Sequence, residues 1–136
     1  MNIPARLRAE VIRRADGRCE YCQLSQAGQE AAFHVDHIHP LAHGGLTGLS
    51  NLALACVSCS LRKGARTTAK DPQSGKQAPV FHPREWKWQD HFRWVGERVE
   101  GISPTGRATM ELLRMNRELA LAIRTEEMRL GRHPAE

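Results

Sequence analysis

The sequence predicts a small α+β fold on three observations. Helix-spaced apolar residues stand near both ends of the chain. Short alternating stretches typical of strands lie between them, and two Cys-x-x-Cys pairs are placed to tie distant segments together. At 136 residues, 40% hydrophobic and 26% charged, the chain has the length of one domain and the composition of a globular protein.

Residues 4–15 read as a helix: Pro4 suits a first turn, Leu7, Val11 and Ala15 recur at i, i+4 and i+8, and Gly17 suits a stop. Residues 31–36 alternate Phe33 and Val35 against His34 and Asp36, a strand pattern. Pro40 and the Gly44-Gly45 pair make residues 38–50 a loop. A second short strand is expected over 51–55 and a short helix over 57–66. Residues 71–79 form a turn-rich surface connection. Five of the chain's seven aromatics follow (Phe81, Trp86, Trp88, Phe92 and Trp94), with strands expected at 92–95 and 98–102 around a turn at Gly96. Residues 105–130 read as amphipathic helix with Leu112, Met115, Leu119 and Ile123 on one stripe, divided near Asn116 and ended by Gly131 and Pro134.

Charge is unevenly distributed around a net of +5. Residues 1–18 carry five arginines against Glu10 and Asp16. Residues 19–56 carry no Lys or Arg, and 57–70 carry Arg62, Lys63, Arg66 and Lys70 with no acid. A charge-poor segment rich in metal ligands between two basic ones suits a metal site flanked by phosphate contacts; an ordinary solvated basic surface is the alternative. No apolar run approaches the roughly 20 residues that span a bilayer, and no apolar stretch follows the basic N-terminus. The expectation is a cytoplasmic protein with no membrane segment, whose cysteines bind metal rather than pair as disulfides.

Cys19, Cys22, Cys56 and Cys59 form two C-x2-C pairs separated by 33 residues (23–55). Two such turns present four thiolates to one tetrahedral ion, so the chain is expected to hold one structural zinc. A redox-active pair, the alternative, more often stands singly beside a βαβ pattern, which is absent. The interval between the knuckles is too long for a simple ribbon and contains His34, His37, His39 and His43 around the lone Asp36. Asp36-His37 offers a carboxylate for a hard cation beside an imidazole able to act as a base near neutral pH.

These residues resemble the HNH endonucleases, in the branch with two C-x2-C knuckles. The resemblance runs through Cys19 and Cys22, the His34-Val35-Asp36-His37-Ile38-His39-Pro40 segment, Gly44-Gly45, Asn51-Leu52, Cys56 and Cys59, to Arg62-Lys63-Gly64. A bacterial group is more similar still, sharing Asp71-Pro72-Gln73-Ser74-Gly75, Phe81-His82-Pro83-Arg84, the Trp88 to Trp94 stretch and Thr105-Gly106-Arg107-Ala108-Thr109. The resemblance implies a ββα-metal unit (the HNH, or His-Me finger, core) gripping one divalent cation, Mg²⁺ or Mn²⁺, and acting on DNA. By position, His37 would be the general base, Asp36 a ligand of the catalytic ion, and Asn51 the residue that holds the loop and orients His37. The products would carry a 5′ phosphate and a 3′ hydroxyl. The whole of 1–136 is then expected to be a single HNH endonuclease domain: an N-terminal helix over 1–18, a zinc-framed core over 19–66, and aromatic strands with C-terminal helices over 80–131.

One position departs from the family pattern: Ser60 stands where the family carries Asn or His, the second protein ligand of the cation. Weaker metal binding with activity kept, replacement by His34 or another nearby group, and loss of cleavage are all open. The last would leave a zinc-stapled DNA-binding module. A protein-interaction domain built on the aromatic half is a further alternative, and it leaves Asp36, His37 and Asn51 without a role. Arg62, Lys63 and Arg66, on the helix expected to follow the metal site, are the candidate phosphate contacts. The tryptophans and Phe92 are expected to build core rather than stack on bases, His91 to be structural, and Arg107 to pin the C-terminal helix.

Overall fold

In a computed structural model, residues 3–135 are described. They form a mixed α+β protein with four α-helices and three short antiparallel strand pairs, divided into two compact units, residues 1–65 and 66–136. No helix among the described residues is long and apolar enough to cross a membrane.

The first unit opens with α1 (Ala5–Arg14), which buries Val11 and ends where Asp16 and Gly17 take positive φ. The Arg14 guanidinium reaches the backbone oxygen of Leu52. Strand β1 (His34–His37) pairs with β2 (Leu52–Ala55) in the register His34↔Ala55 to His37↔Leu52. All four β2 residues are buried, as expected for a strand covered on both faces. The sequence pattern puts the first strand at 31–36, but pairing begins only at His34, and Ala31 and Ala32 are exposed with no ladder partner. The outer edge of β2 is covered by the first knuckle: Glu20 N–H donates to Leu54 O, and Leu54 N–H donates to the Glu20 carboxylate, each at 2.8 Å.

Helix α2 (Val57–Lys63) follows β2 directly. It is shorter than the expected 57–66 because Gly64 leaves helical geometry at φ +52, a conformation that glycine adopts without a Cβ penalty. Between the strands, residues 38–51 form a tight loop in which Gly45 approaches the backbone of His39. A Cβ at Gly45 would lie 1.8 Å from the His39 oxygen, so no other residue fits there.

The second unit contains a hairpin of β3 (Thr68–Lys70) and β4 (Gln77–Pro79), and another of β5 (Phe92–Val95) and β6 (Arg98–Gly101). Two helices follow, α3 (Pro104–Leu112) and α4 (Glu118–Arg129). The expected surface connection at 71–79 is therefore the turn and return strand of a hairpin. The break between α3 and α4 comes where Asn116 leaves the helix to satisfy both backbone groups of Val99, at 2.9 Å and 2.7 Å. This break resets the helical phase, so the expected stripe fails at Leu119, which is 64% exposed. The residues that α4 buries are Ala120, Arg124 and Glu127. The two buried charges are paired: Arg124 donates to Met115 O and Glu97 O and lies over the Trp94 ring, while Glu127 binds Arg132. Of the aromatics expected to build core, Phe81 and Phe92 are buried edge-to-face, whereas Trp86, Trp88 and Trp94 are half-buried, with Trp88 stacked on Phe92.

Candidate active site and metal centre

The four cysteines are buried, and their sulfurs lie within 4.8 Å of one another. Cys22 Sγ and Cys56 Sγ are 3.7 Å apart. Tetrahedral zinc with bonds of about 2.3 Å requires sulfur–sulfur separations of about 3.8 Å, so the cluster has the dimensions of a closed zinc site. Within each knuckle the fourth residue's N–H points at the first residue's sulfur, Cys22 to Cys19 and Cys59 to Cys56, both at 3.4 Å. Such donors favour thiolate over thiol. Burial pushes the Cys19 thiol up, while its sulfur neighbours hold Cys56 down. Four buried sulfurs at this spacing ionise together only around a cation. The cysteines are thus positioned to form a zinc site.

The second cluster is built by β1, the loop and α2. His34 and Asp36 alternate along β1 and share a face. Ser60 meets them from the middle of α2: its hydroxyl donates to Asp36 Oδ1 at 3.0 Å and lies 2.8 Å from His34 Nδ1. Asp36 and Ser60, joined only by the family pattern in sequence, are thus in contact, and His34 is part of the same group. A carboxylate, a hydroxyl and an imidazole nitrogen in one cluster fit a divalent cation with mixed oxygen and nitrogen ligands.

His37 follows Asp36, and its Nε2 lies 2.8 Å from Thr47 Oγ1. Burial lowers the His37 pKa below the ordinary imidazole value, against the pull of the Asp36 carboxylate, so the neutral ring is favoured near pH 7. Asn51 clamps the loop: its amide donates to His39 O and Leu46 O, its side-chain oxygen accepts from His39 N–H, and its backbone oxygen accepts from Ile38 N–H. These bonds hold the segment that carries Thr47, so Asn51 reaches His37 through the loop rather than by a bond of its own. Thr47 escaped the sequence reading. A threonine in a loop of Gly, Leu and Ser has no pattern to mark it, and only its position opposite His37 does. His39 and His43 lie exposed in the loop, His39 Nε2 against His43 O at 2.9 Å.

His34, Asp36 and His37 line an open cleft of about 380 Å³ together with Arg8 of α1, Ile3, Val35 and Leu41. Of the three expected phosphate contacts, Arg62 and Arg66 are exposed. Lys63 is not available: it is 2% exposed and its ammonium donates to Ile38 O at 3.2 Å. The reason is helical spacing, since Lys63 lies one turn beyond the buried Cys59 and shares its inward face. Arg107 of α3 holds Asp71, as described below, in line with its expected structural role. His91 Nδ1 contacts Ser103 Oγ at 2.6 Å, also a structural contact.

Comparison with known proteins gives one family: residues 19–66 match the HNH endonuclease model. No curated protein and no solved structure gives a significant match. The matched segment holds both knuckles, Asp36, His37, Asn51 and Ser60, and over residues 19–66 the chain is similar to the HNH endonucleases.

Proposed function

We propose that the chain is a metal-dependent endonuclease that hydrolyses DNA phosphodiester bonds. The observation that carries this reading is the cleft in which the Asp36 group and a neutral, Thr47-held His37 stand side by side with Arg8. His37 takes a proton from a water, whose oxygen attacks phosphorus in line with the departing 3′ oxygen. The phosphorus–O3′ bond breaks, the 3′ oxygen gains a proton from solvent, and the 5′ phosphate stays on the other strand end. Asp36 would hold a divalent cation, Mg²⁺ or Mn²⁺. When bound, that ion supplies charge to the five-coordinate transition state and to the leaving oxygen. Arg8, which lines the same cleft, meets the substrate phosphate, and Arg62 and Arg66 contact flanking phosphates. The four cysteines bind one zinc, which holds α2 against the β1–β2 pair.

Plasmid nicking tests this reading. Wild type should convert supercoiled DNA to nicked circles with Mn²⁺ or Mg²⁺, EDTA should abolish it, and His37→Ala should reduce the rate by roughly 10² to 10⁴ while DNA binding and zinc content persist. Ser60 favours one second reading, a DNA-binding module without cleavage. Binding of duplex DNA with no nicking in any divalent ion would select it.

A further inference from the structure

We propose that His34 is the second protein ligand of the catalytic cation, bridged to Asp36 by Ser60, and that this imidazole makes the site prefer Mn²⁺ and later transition dications to Mg²⁺. The proposal rests on the nuclease reading for the cation's purpose, and on geometry for its ligands.

His34 and Asp36 are two residues apart on one strand and present to the same side, where α2 brings the Ser60 hydroxyl between them. Ser60 Oγ is 3.0 Å from Asp36 Oδ1 and 2.8 Å from His34 Nδ1. Neighbouring ligands around an octahedral ion with bonds of about 2.1 Å lie about 3 Å apart. Both separations therefore match edges of one coordination octahedron.

The protons are accounted for as well. The single Ser60 hydroxyl proton goes to Asp36, so the Ser60–His34 contact requires the hydrogen on His34 Nδ1, with the Ser60 oxygen accepting. An ion bound at Nδ1 replaces that hydrogen, and His34 shifts to its Nε2–H tautomer without net proton release. The His34 ring makes no other hydrogen bond among the described residues, so its bond to Ser60 is the one that ion binding exchanges.

The metal preference follows from the donor set. Carboxylate, hydroxyl and water oxygens alone suit Mg²⁺, whereas one imidazole nitrogen shifts affinity toward Mn²⁺, Co²⁺ and Ni²⁺. Ser60 thus contributes only a short, weak hydroxyl donor between Asp36 and His34, and His34 supplies the nitrogen.

The test uses the full-length, zinc-loaded protein without DNA. Mn²⁺ and Mg²⁺ are titrated by calorimetry, and bound Mn²⁺ is examined by pulsed electron paramagnetic resonance for coupling to ¹⁴N. Wild type should bind Mn²⁺ more tightly than Mg²⁺ and show nitrogen coupling. His34→Ala should lose the coupling and weaken Mn²⁺ roughly tenfold or more, with Mg²⁺ affinity little changed. Bound Mn²⁺ without nitrogen coupling in the wild type overturns the proposal, whatever the variants do. Coupling that persists in His34→Ala also overturns it and shifts the assignment to another imidazole. Nicking is scored separately: nitrogen coupling without cleavage upholds the ligand and removes the nuclease reading, and cleavage with Mn²⁺ but no coupling does the reverse.

Discussion

Thr47 Oγ1 lies 2.8 Å from His37 Nε2, so the proposed base is fixed by a hydroxyl from the loop between the two strands that form the site. If His37 donates its Nε2–H to Thr47, Nδ1 keeps the lone pair that accepts a proton from water. Thr47→Val should then lower kcat for nicking by about tenfold, a fraction of what general-base catalysis supplies, with KM for DNA unchanged. Thr47→Ser restores the hydroxyl and should recover most of the rate. Equal kcat for Thr47→Val and wild type would remove Thr47 from the positioning of His37.

The cysteine cluster makes a prediction about stability rather than rate. Its four cysteines come from two knuckles, one docked on the edge of β2 through Glu20 and the other starting α2, so a single zinc bound there would link the parts of the first unit. Structural zinc supplies folding free energy directly. The protein as purified should contain one zinc per chain, and Cys56→Ser should lower zinc content and melt well below wild type. A Cys56→Ser protein with an unchanged melting temperature would show that the cluster does not hold the fold together.

The parts of this architecture that were legible in sequence are those with short-range signatures. The knuckles, the β1–β2 pair around Asp36, and the α3–α4 break at Asn116 all follow from spacing or a single polar interruption. What was not legible depends on contacts between distant residues. The inward turn of Lys63 depends on which face of α2 packs, and a seven-residue helix carries too little periodicity to show it. The partnership of His34 with Ser60 links positions 26 apart, and that of His37 with Thr47 is made through the fold of a loop. The β3–β4 hairpin was hidden because Thr68–Lys70 and Gln77–Pro79 are short and largely exposed, with Ala78 the one buried side chain.

The last prediction concerns the second unit, where Asp71 in the β3–β4 turn has no exposed side-chain surface and is gripped by Arg107 of α3. Two parallel bonds of 3.0 Å join them, Nε to Oδ1 and Nη2 to Oδ2, and Gln73 N–H and the Ser74 hydroxyl donate to the same carboxylate. Arg107 and these donors hold the Asp71 pKa well below the usual carboxylate range, against the opposing effect of burial. A carboxylate whose folded pKa lies below its unfolded value of about 3.9 contributes stability that is fully present above that value and lost as pH falls toward the folded one. At pH 7, Arg107→Met leaves a buried charge without its partner and should melt several degrees below wild type. As the pH is lowered below about 4, Asp71 becomes protonated in the variant first and in wild type later, so the gap between the two should narrow. All three tryptophans of the chain (Trp86, Trp88 and Trp94) lie in this unit, so tryptophan fluorescence during thermal unfolding reads it directly. A gap between Arg107→Met and wild type that stays constant from pH 7 to pH 3 would mean that Arg107 acts through packing alone and that its charge on Asp71 contributes nothing.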